Sequence, residues 1–213
     1  MRSRLGVMSE IGLFPLGVVL LPTERLPLHI FEERYKELIG ECLQADRDFG
    51  LVFADDDGMR AAGTRAEVVE VLERFPDGRL NIVVEGKDRF RIVEVTSGRS
   101  FDTAIIEDLS DEDEKDTPVQ DDLAECLQAY RRLAEAAGAQ PDDFDPGAGS
   151  VAFQIAAVID FTPELKQELL ELRSEGERLA KLSGLLDRAV DAVLLQRTAR
   201  ERAAGNGHVS PDD

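Results

Sequence analysis

The sequence predicts an α+β fold: a small, barrel-like β domain with one inserted helix, followed by an α-helical lobe that ends in a long helix. Three observations predict it. From residue 49 to about 109, apolar and polar side chains alternate between turn signals. From residue 123 onward, apolar residues recur at helical spacing instead. No alternation of strand and helix of the kind that builds a parallel sheet joins the two patterns.

The β part is read in chain order. "LFPLGVVLLP", residues 13–22, is apolar and rich in β-branched residues over 17–22, so it reads as the first buried strand, ended by Pro22. "TERLPL" follows as an exposed connection whose prolines hold an extended backbone, and "LPLHIF" is a second extended piece with Pro27 suited to a sheet edge. Tyr35, Leu38, Ile39, Cys42 and Leu43 then mark one face of an amphipathic helix, with Glu32 and Glu33 placed where acids complement a helix N-terminus. "FGLVFA" returns to strand, and the sequence from Asp55 to Gly58 is a turn. Beyond Gly63 come "TRAEVVEVLERF", a tight turn at Pro76-Asp77-Gly78, and "RLNIVVEG" with Leu80, Ile82 and Val84 on one face. "RFRIVEV", with Phe90 and Ile92 on one face, and "FDTAIIEDL" complete six or seven short strands.

Residues 107–122 carry nine carboxylates and one Lys. They lack the central Gly and the fixed ligand spacing of a calcium loop, so the stretch reads as a solvated linker. Leu123, Leu127, Tyr130 and Leu133 define the next helix, stopped by Gly138. "SVAFQIAAVI" is apolar nearly all round and is expected at the centre of a helical core. Thr162 with Pro163 is a helix start, and Ser174 with Glu177 forms a capping box for the last helix. That helix carries Leu179, Leu182, Leu186, Val190, Val193 and Leu194 to about Ala204. The expected organisation is a β lobe over 10–109, an acidic linker over 110–122, a helical lobe over 123–204 and a disordered tail over 205–213.

Charge excludes some partners. Forty-four acidic against 25 basic residues give a net charge of −19, which repels nucleic acid and anionic lipid. The apolar run from Ile11 to Leu21 is about half the ~20 residues a spanning helix needs and contains Pro15. Pro22-Thr23-Glu24-Arg25 stands where a signal peptide would have its cleavage site, so a cytoplasmic location is expected. Cys42 and Cys126 read first as buried free thiols, with a disulfide or a nucleophile as alternatives. Two cysteines and two distant histidines, His29 and His208, assemble no conventional zinc site, and no cofactor is expected.

"LFPLGVVLLPTERLPLHIFEERYKELI", a strand opening at Gly63, "PDGRLNIVVEGKDRFRI" and "ELKQELLELRSEGERLAKLSGLLDRAV" occur in the order and spacing of the N-terminal substrate-binding domain of Lon proteases. The chain resembles that family over about residues 11 to 198. The resemblance implies a PUA-like β-barrel lobe, a helical lobe, and a role in holding unfolded or tagged polypeptides. The one Gly-Lys pair, Gly86-Lys87, lacks the glycine pattern of an ATPase phosphate loop, and the chain ends before a Ser-Lys peptidase domain would fit. The expectation is a freestanding, non-catalytic polypeptide-binding module that recognises exposed apolar segments as an adaptor or regulator of proteolysis.

The candidate peptide-binding residues are Leu21, Pro22, Leu26 and Pro27 around the first loop, together with Phe31 and Phe90. The expected partners are unfolded or partly folded polypeptides and a protease or chaperone. The chain itself is expected as a monomer or weak homo-oligomer, its last helix offering a second surface. His29 with Glu32 and Glu33 is the best acid/base cluster, although the helix N-terminus explains both carboxylates. The alternative function is RNA binding by a PUA-like domain through Arg74, Arg79, Arg89 and Arg91; the scarcity of aromatic rings and of positive charge opposes it.

Overall fold

The computed structural model describes residues 8–112 and 119–205. Among the described residues six strands with one inserted helix are followed by four further α-helices: β1 (Ser9–Leu16), β2 (Arg25–Ile30), α1 (Glu33–Ala45), β3 (Phe49–Asp55), β4 (Gly58–Arg74), β5 (Leu80–Thr96), β6 (Thr103–Asp108), α2 (Val119–Ala137), α3 (Val151–Ala157), α4 (Pro163–Glu171) and α5 (Glu175–Gly205). The class is α+β, as the sequence predicts. The chain forms two compact units: residues up to 113 with 145–174, and residues 114–144 with 175 onward.

The first unit is built on one six-stranded sheet in the order β2-β5-β4-β3-β1-β6. β1 and β3 run parallel, and the remaining pairs are antiparallel. β5 is long enough to serve three neighbours: residues 80–85 pair with β2, 80–91 with β4, and 90–96 with β6. Hydrogen bonding therefore passes from β5 through β4, β3, β1 and β6 back to β5, and β2 stands outside that circuit. Two strands that the sequence reads as separate, around "RLNIVVEG" and "RFRIVEV", are one strand of 17 residues. Gly86, within that strand, lets the preceding loop approach closely, because a Cβ there would lie 2.1 Å from the Leu21 carbonyl oxygen.

Three register shifts interrupt β4 against β5, two of them at Val68/Glu70 and Val71/Glu73. Each of these two inserts one residue, Val69 and Leu72, and both are exposed. Inside, Phe14, Tyr35, Leu38, Ile39, Phe49, Leu51, Ile82 and Val84 form the main core. Phe14 meets the Tyr35 ring edge-on at 4.0 Å between centroids, so helix α1 closes over the sheet.

The stretch "GVVLLP" is not a strand; β1 ends at Leu16, before it. Val19, Leu20 and Leu21 are fully buried, yet their backbone is satisfied locally and by side chains. Thr64 Oγ1 donates to the Leu20 carbonyl at 2.6 Å, and Leu21 N donates to Glu24 Oε2 at 2.9 Å. A turn with Thr23 at φ 68° then reverses the chain, with Glu24 N on Leu21 O and Thr23 N on Gly86 O. These residues act as an apolar plug held by caps, which is why their composition resembles a buried strand.

The helical boundary also falls elsewhere than the sequence suggests. α3 and α4 belong to the unit that contains the sheet. The Ser150 hydroxyl accepts from Phe153 N to cap α3, and Thr162 accepts from Leu165 N ahead of Pro163 to cap α4. Residues 110–112 of the expected linker are tied down, with Glu112 N donating to Arg173 O at 2.9 Å. Residues 113–118 of that linker, and residues 206–213 of the tail with His208, lie outside the described residues.

In the second unit α2 and α5 pack on each other. They bury Cys126, Ala129, Tyr130 and Ala134 of α2 and Leu179, Leu182 and Leu186 of α5. Tyr130 donates from its hydroxyl to Asp142 at 2.7 Å and meets Phe144 edge-on. The α5 stripe is buried only as far as Leu186; Leu194 and Leu195 are exposed. Among the described residues no helix is long and apolar enough to cross a membrane.

Candidate functional site

β2 pairs only with β5 among the described strands, so one of its edges is open. Which backbone groups face that edge follows from parity. Gly86 N donates to Glu24 O at 2.9 Å, and the register continues as Arg25 opposite Glu85 and Leu26 opposite Val84. Antiparallel pairing alternates, so residues 24, 26, 28 and 30 bond to β5, and the amide and carbonyl groups of Arg25, Pro27 and His29 point outward. Pro27 therefore costs the β5 ladder no bond. It also removes the central donor of the open edge, leaving the Arg25 and His29 N–H groups and three carbonyls.

The side chains on the same strand alternate in the other sense. Leu26 and Leu28 are half-buried against the core and Ile30 is fully buried; Arg25, Pro27 and His29 are exposed. Across the outer face, polar and apolar rows succeed one another. At one end Arg25 pairs with Glu85 at 2.9 Å, and Lys87 bridges Glu85 at 2.8 Å and Glu67 at 2.7 Å. Hydrogen bonds from Lys87 and then Arg25 hold the Glu85 carboxyl below the usual range, and those to Glu67 and Glu85 push Lys87 up to about 12. In the middle Pro27 lies opposite Val83. At the far end the His29 ring stacks on Phe31 at 5.9 Å and meets Phe75 edge-on at 6.1 Å, while Arg79 sits over Phe75 at 4.9 Å. His29 Nδ1 donates to Asn81 Oδ1 at 2.6 Å, and Asn81 Nδ2 donates to Glu73.

The structure divides the sequence-predicted binding residues. Pro27 and Phe31 are exposed, Phe31 at 59%. Leu26 is half-buried with its side chain on the core side, and Pro22 is half-buried in the loop before β2, where it borders a groove near Arg89. Leu21 and Phe90 are fully buried core residues and offer no surface to a partner. Phe75 and His29 complete the aromatic end of the face. The sequence hides that grouping, because only the β2–β5–β4 register brings residues so far apart together.

The acid/base cluster is not assembled. Glu32 pairs with Arg34 and Glu33 with Lys36, while His29 is engaged with Asn81. Two of the four arginines of the RNA alternative are engaged within the chain. Arg89 is buried and bonded to the Leu170 and Leu172 carbonyls, and Arg79 is engaged with Asp77. Cys42 and Cys126 are buried free thiols, each pushed up to about 11 by burial. Among the described residues no group of His, Cys, Asp and Glu is placed to hold a metal ion.

The mixed sheet thus leaves one partly apolar edge strand, β2, open among the described residues. The family described as the ATP-dependent protease La (LON) substrate-binding domain matches residues 10–188, and the chain belongs to it. That family is a binding domain and not a catalytic one. The chain is 26% identical over 202 residues to Lon protease 2 of Herpetosiphon aurantiacus and 27% identical over 203 residues to Lon protease of Brucella suis. These alignments take in 88% and 87% of the chain but 25% and 24% of the relatives, so the chain spans about a quarter of their length. Its fold is similar to a Lon N-terminal domain protein from Xanthomonas campestris, with TM-score 0.63, 23% identity, and coverage of 82% of this chain and 96% of that one. It is also similar to the N-terminal domain of the Mycobacterium avium complex Lon protease, with TM-score 0.65, 19% identity, and coverage of 86% and 98%.

Proposed function

We propose that the protein holds polypeptide segments in extended form along the open edge of β2, serving as a recognition module for proteolysis in an adaptor or regulatory role. The five-strand hydrogen-bonding circuit supports reading the first unit as a closed, PUA-like barrel with β2 appended to its outside. One observation carries the proposal: β2 has a single strand partner among the described residues, and its outward groups stand beside the Pro27, His29 and Phe31 face. An incoming chain gains two main-chain donors, three acceptors and an apolar surface, the combination used in β-strand addition. Pro27 keeps the ladder short, which disfavours self-association of the edge and favours transient clients.

The test is fluorescence anisotropy of a labelled protein kept unfolded by reduction and alkylation. Binding is expected below about 100 µM client. Substituting Arg25→Pro and His29→Pro together removes both outward donors while leaving the β5 pairing in place, and is expected to weaken binding without a large change in melting temperature. An unchanged affinity in that variant would exclude the edge as the site.

A further inference from the structure

The far part of β4 also has a free flank. β4 pairs with β3 only through residues 58–66, so residues 67–74 have β5 on one side and no strand on the other among the described residues. β2, β5 and this part of β4 therefore form a three-stranded arm with a free edge on each side. The two edges differ in regularity. β2 follows β5 from Arg25 to Ile30 without a register shift. Along β4 the shifts at Val68/Glu70 and Val71/Glu73 leave only residues 67–68, 70–71 and 73–74 in step with one another, two at a time. An added strand needs outward donors and acceptors in constant phase, repeating every second residue or about 6.6 Å. Each inserted residue breaks that phase and bends the strand. The inserted residues are Val69 and Leu72, exposed at 37% and 54%.

We infer that the two bulges close β4 to strand addition, so that the chain takes one extended client, at β2. The inference rests on the reading of β2 as the client edge and adds its stoichiometry. With two regular edges the arm could be extended on both flanks, and clients and chains would join into a growing sheet. One regular edge, interrupted by Pro27 alone, ends the addition at a single segment. The register also shows that the bulges are separable from the pairing. Removing Val69 and Leu72 keeps every remaining β4–β5 pair from Glu67–Glu85 to Arg74–Leu80 and restores strict alternation between them. Val68 and Val71 then stay on the core side, where they pack now.

The test uses the full chain and, as probe, the reduced, alkylated and labelled unfolded protein of the anisotropy assay. In the Arg25→Pro and His29→Pro background, deletion of Val69 and Leu72 together is expected to restore binding about tenfold over the background alone, because β4 then offers a regular edge. With β2 intact, the same deletion is expected to raise the clients held per chain at saturation from about one to about two. Deletion of Leu72 alone brings residues 70, 71, 73 and 74 into phase and is expected to give a smaller gain; it serves where the double deletion does not melt cooperatively. A folded deletion variant that gains no binding, or two clients already held by the unaltered chain, would overturn the inference. Loss of the fold in both deletion variants would overturn it as well, since the inserted residues would then be needed for packing. If Arg25→Pro with His29→Pro leaves binding unchanged, the β2 reading fails by itself, and each deletion variant compared with its own parent still decides the role of the bulges.

Discussion

Arg89 Nη1 donates to the Leu170 carbonyl oxygen at 2.6 Å, joining the middle of β5 to the last turn of α4. The same guanidinium reaches the Leu172 carbonyl at 2.6 Å, pairs with Asp111, and lies 5.2 Å from the centre of the Phe153 ring. One buried cation thus ties the chain segments after β6 and around α3 and α4 onto the sheet. Replacing it by Leu removes its charged donor from two carbonyls and a carboxylate, and is expected to cost about 3–5 kcal/mol in urea unfolding. Arg89→Lys supplies a single point of charge where three acceptors are spread apart, so it is expected to recover only part of the loss.

Gly86 makes a sharper prediction about the plug. The Leu21 carbonyl passes so close that an added Cβ would sit 2.1 Å from its oxygen and 3.2 Å from Leu20 Cγ. The contact is backbone, which cannot rotate away. Gly86→Ala is expected to lower stability by about 1–3 kcal/mol and to loosen the 19–24 segment, read as faster amide exchange at Thr23 and Glu24 than at β3.

The outer and the core-facing sides of residues 26–31 are separable by mutation. Phe31→Ser removes an exposed ring that stacks on His29 but fills no core, so stability is expected to change by less than about 0.5 kcal/mol while affinity for an unfolded client falls. Leu26→Asp places a carboxylate against the core cluster and is expected to destabilise the fold itself. A melting curve beside each binding curve distinguishes the two outcomes. If Phe31→Ser left affinity unchanged, the aromatic end of the face would have no part in binding.

Most of the architecture was legible because period and punctuation agree. The 3.6-residue pattern of Tyr35, Leu38, Ile39 and Cys42 has only one burying solution, and Thr162-Pro163 caps a helix whatever lies around it. The errors arise where burial is achieved without repetition. Val19, Leu20 and Leu21 are apolar because they fill the core, but Thr64, Glu24 and Gly86 satisfy the backbone around them, and none of those is adjacent in sequence to the plug's centre. Phe90 alternates with Ile92 as a core residue should, and its complete burial agrees with the alternation and removes it from the surface candidates. For α3 and α4, helical periodicity says that one face is covered but not which element covers it. Of the site, the edge character of β2 was visible in Pro27, whereas the meeting of His29 with Phe75 depends on a register that two bulges set.

The two thiols predict a signature at high pH. Burial raises Cys42 to about 11, with the Glu41 and Asp48 carboxylates adding to the effect. Burial likewise raises Cys126 to about 11. An unfolded thiol loses its proton near pH 8.5 to 9. Between that value and about 11 the unfolded chain therefore binds fewer protons than the folded one, and stability falls as pH rises. The stabilisation is fully present below the unfolded value and is expected to decline by about 2–3 kcal/mol per thiol by the top of the window. Tyr35 and Tyr130, also raised by burial, contribute with the same sign at still higher pH. Urea unfolding at several pH values, repeated on a Cys42→Ala and Cys126→Ala double variant, isolates the thiols: the variant should start less stable at neutral pH and show a flatter slope above pH 9. An identical slope in both proteins would mean that the thiols ionise as readily in the fold as outside it.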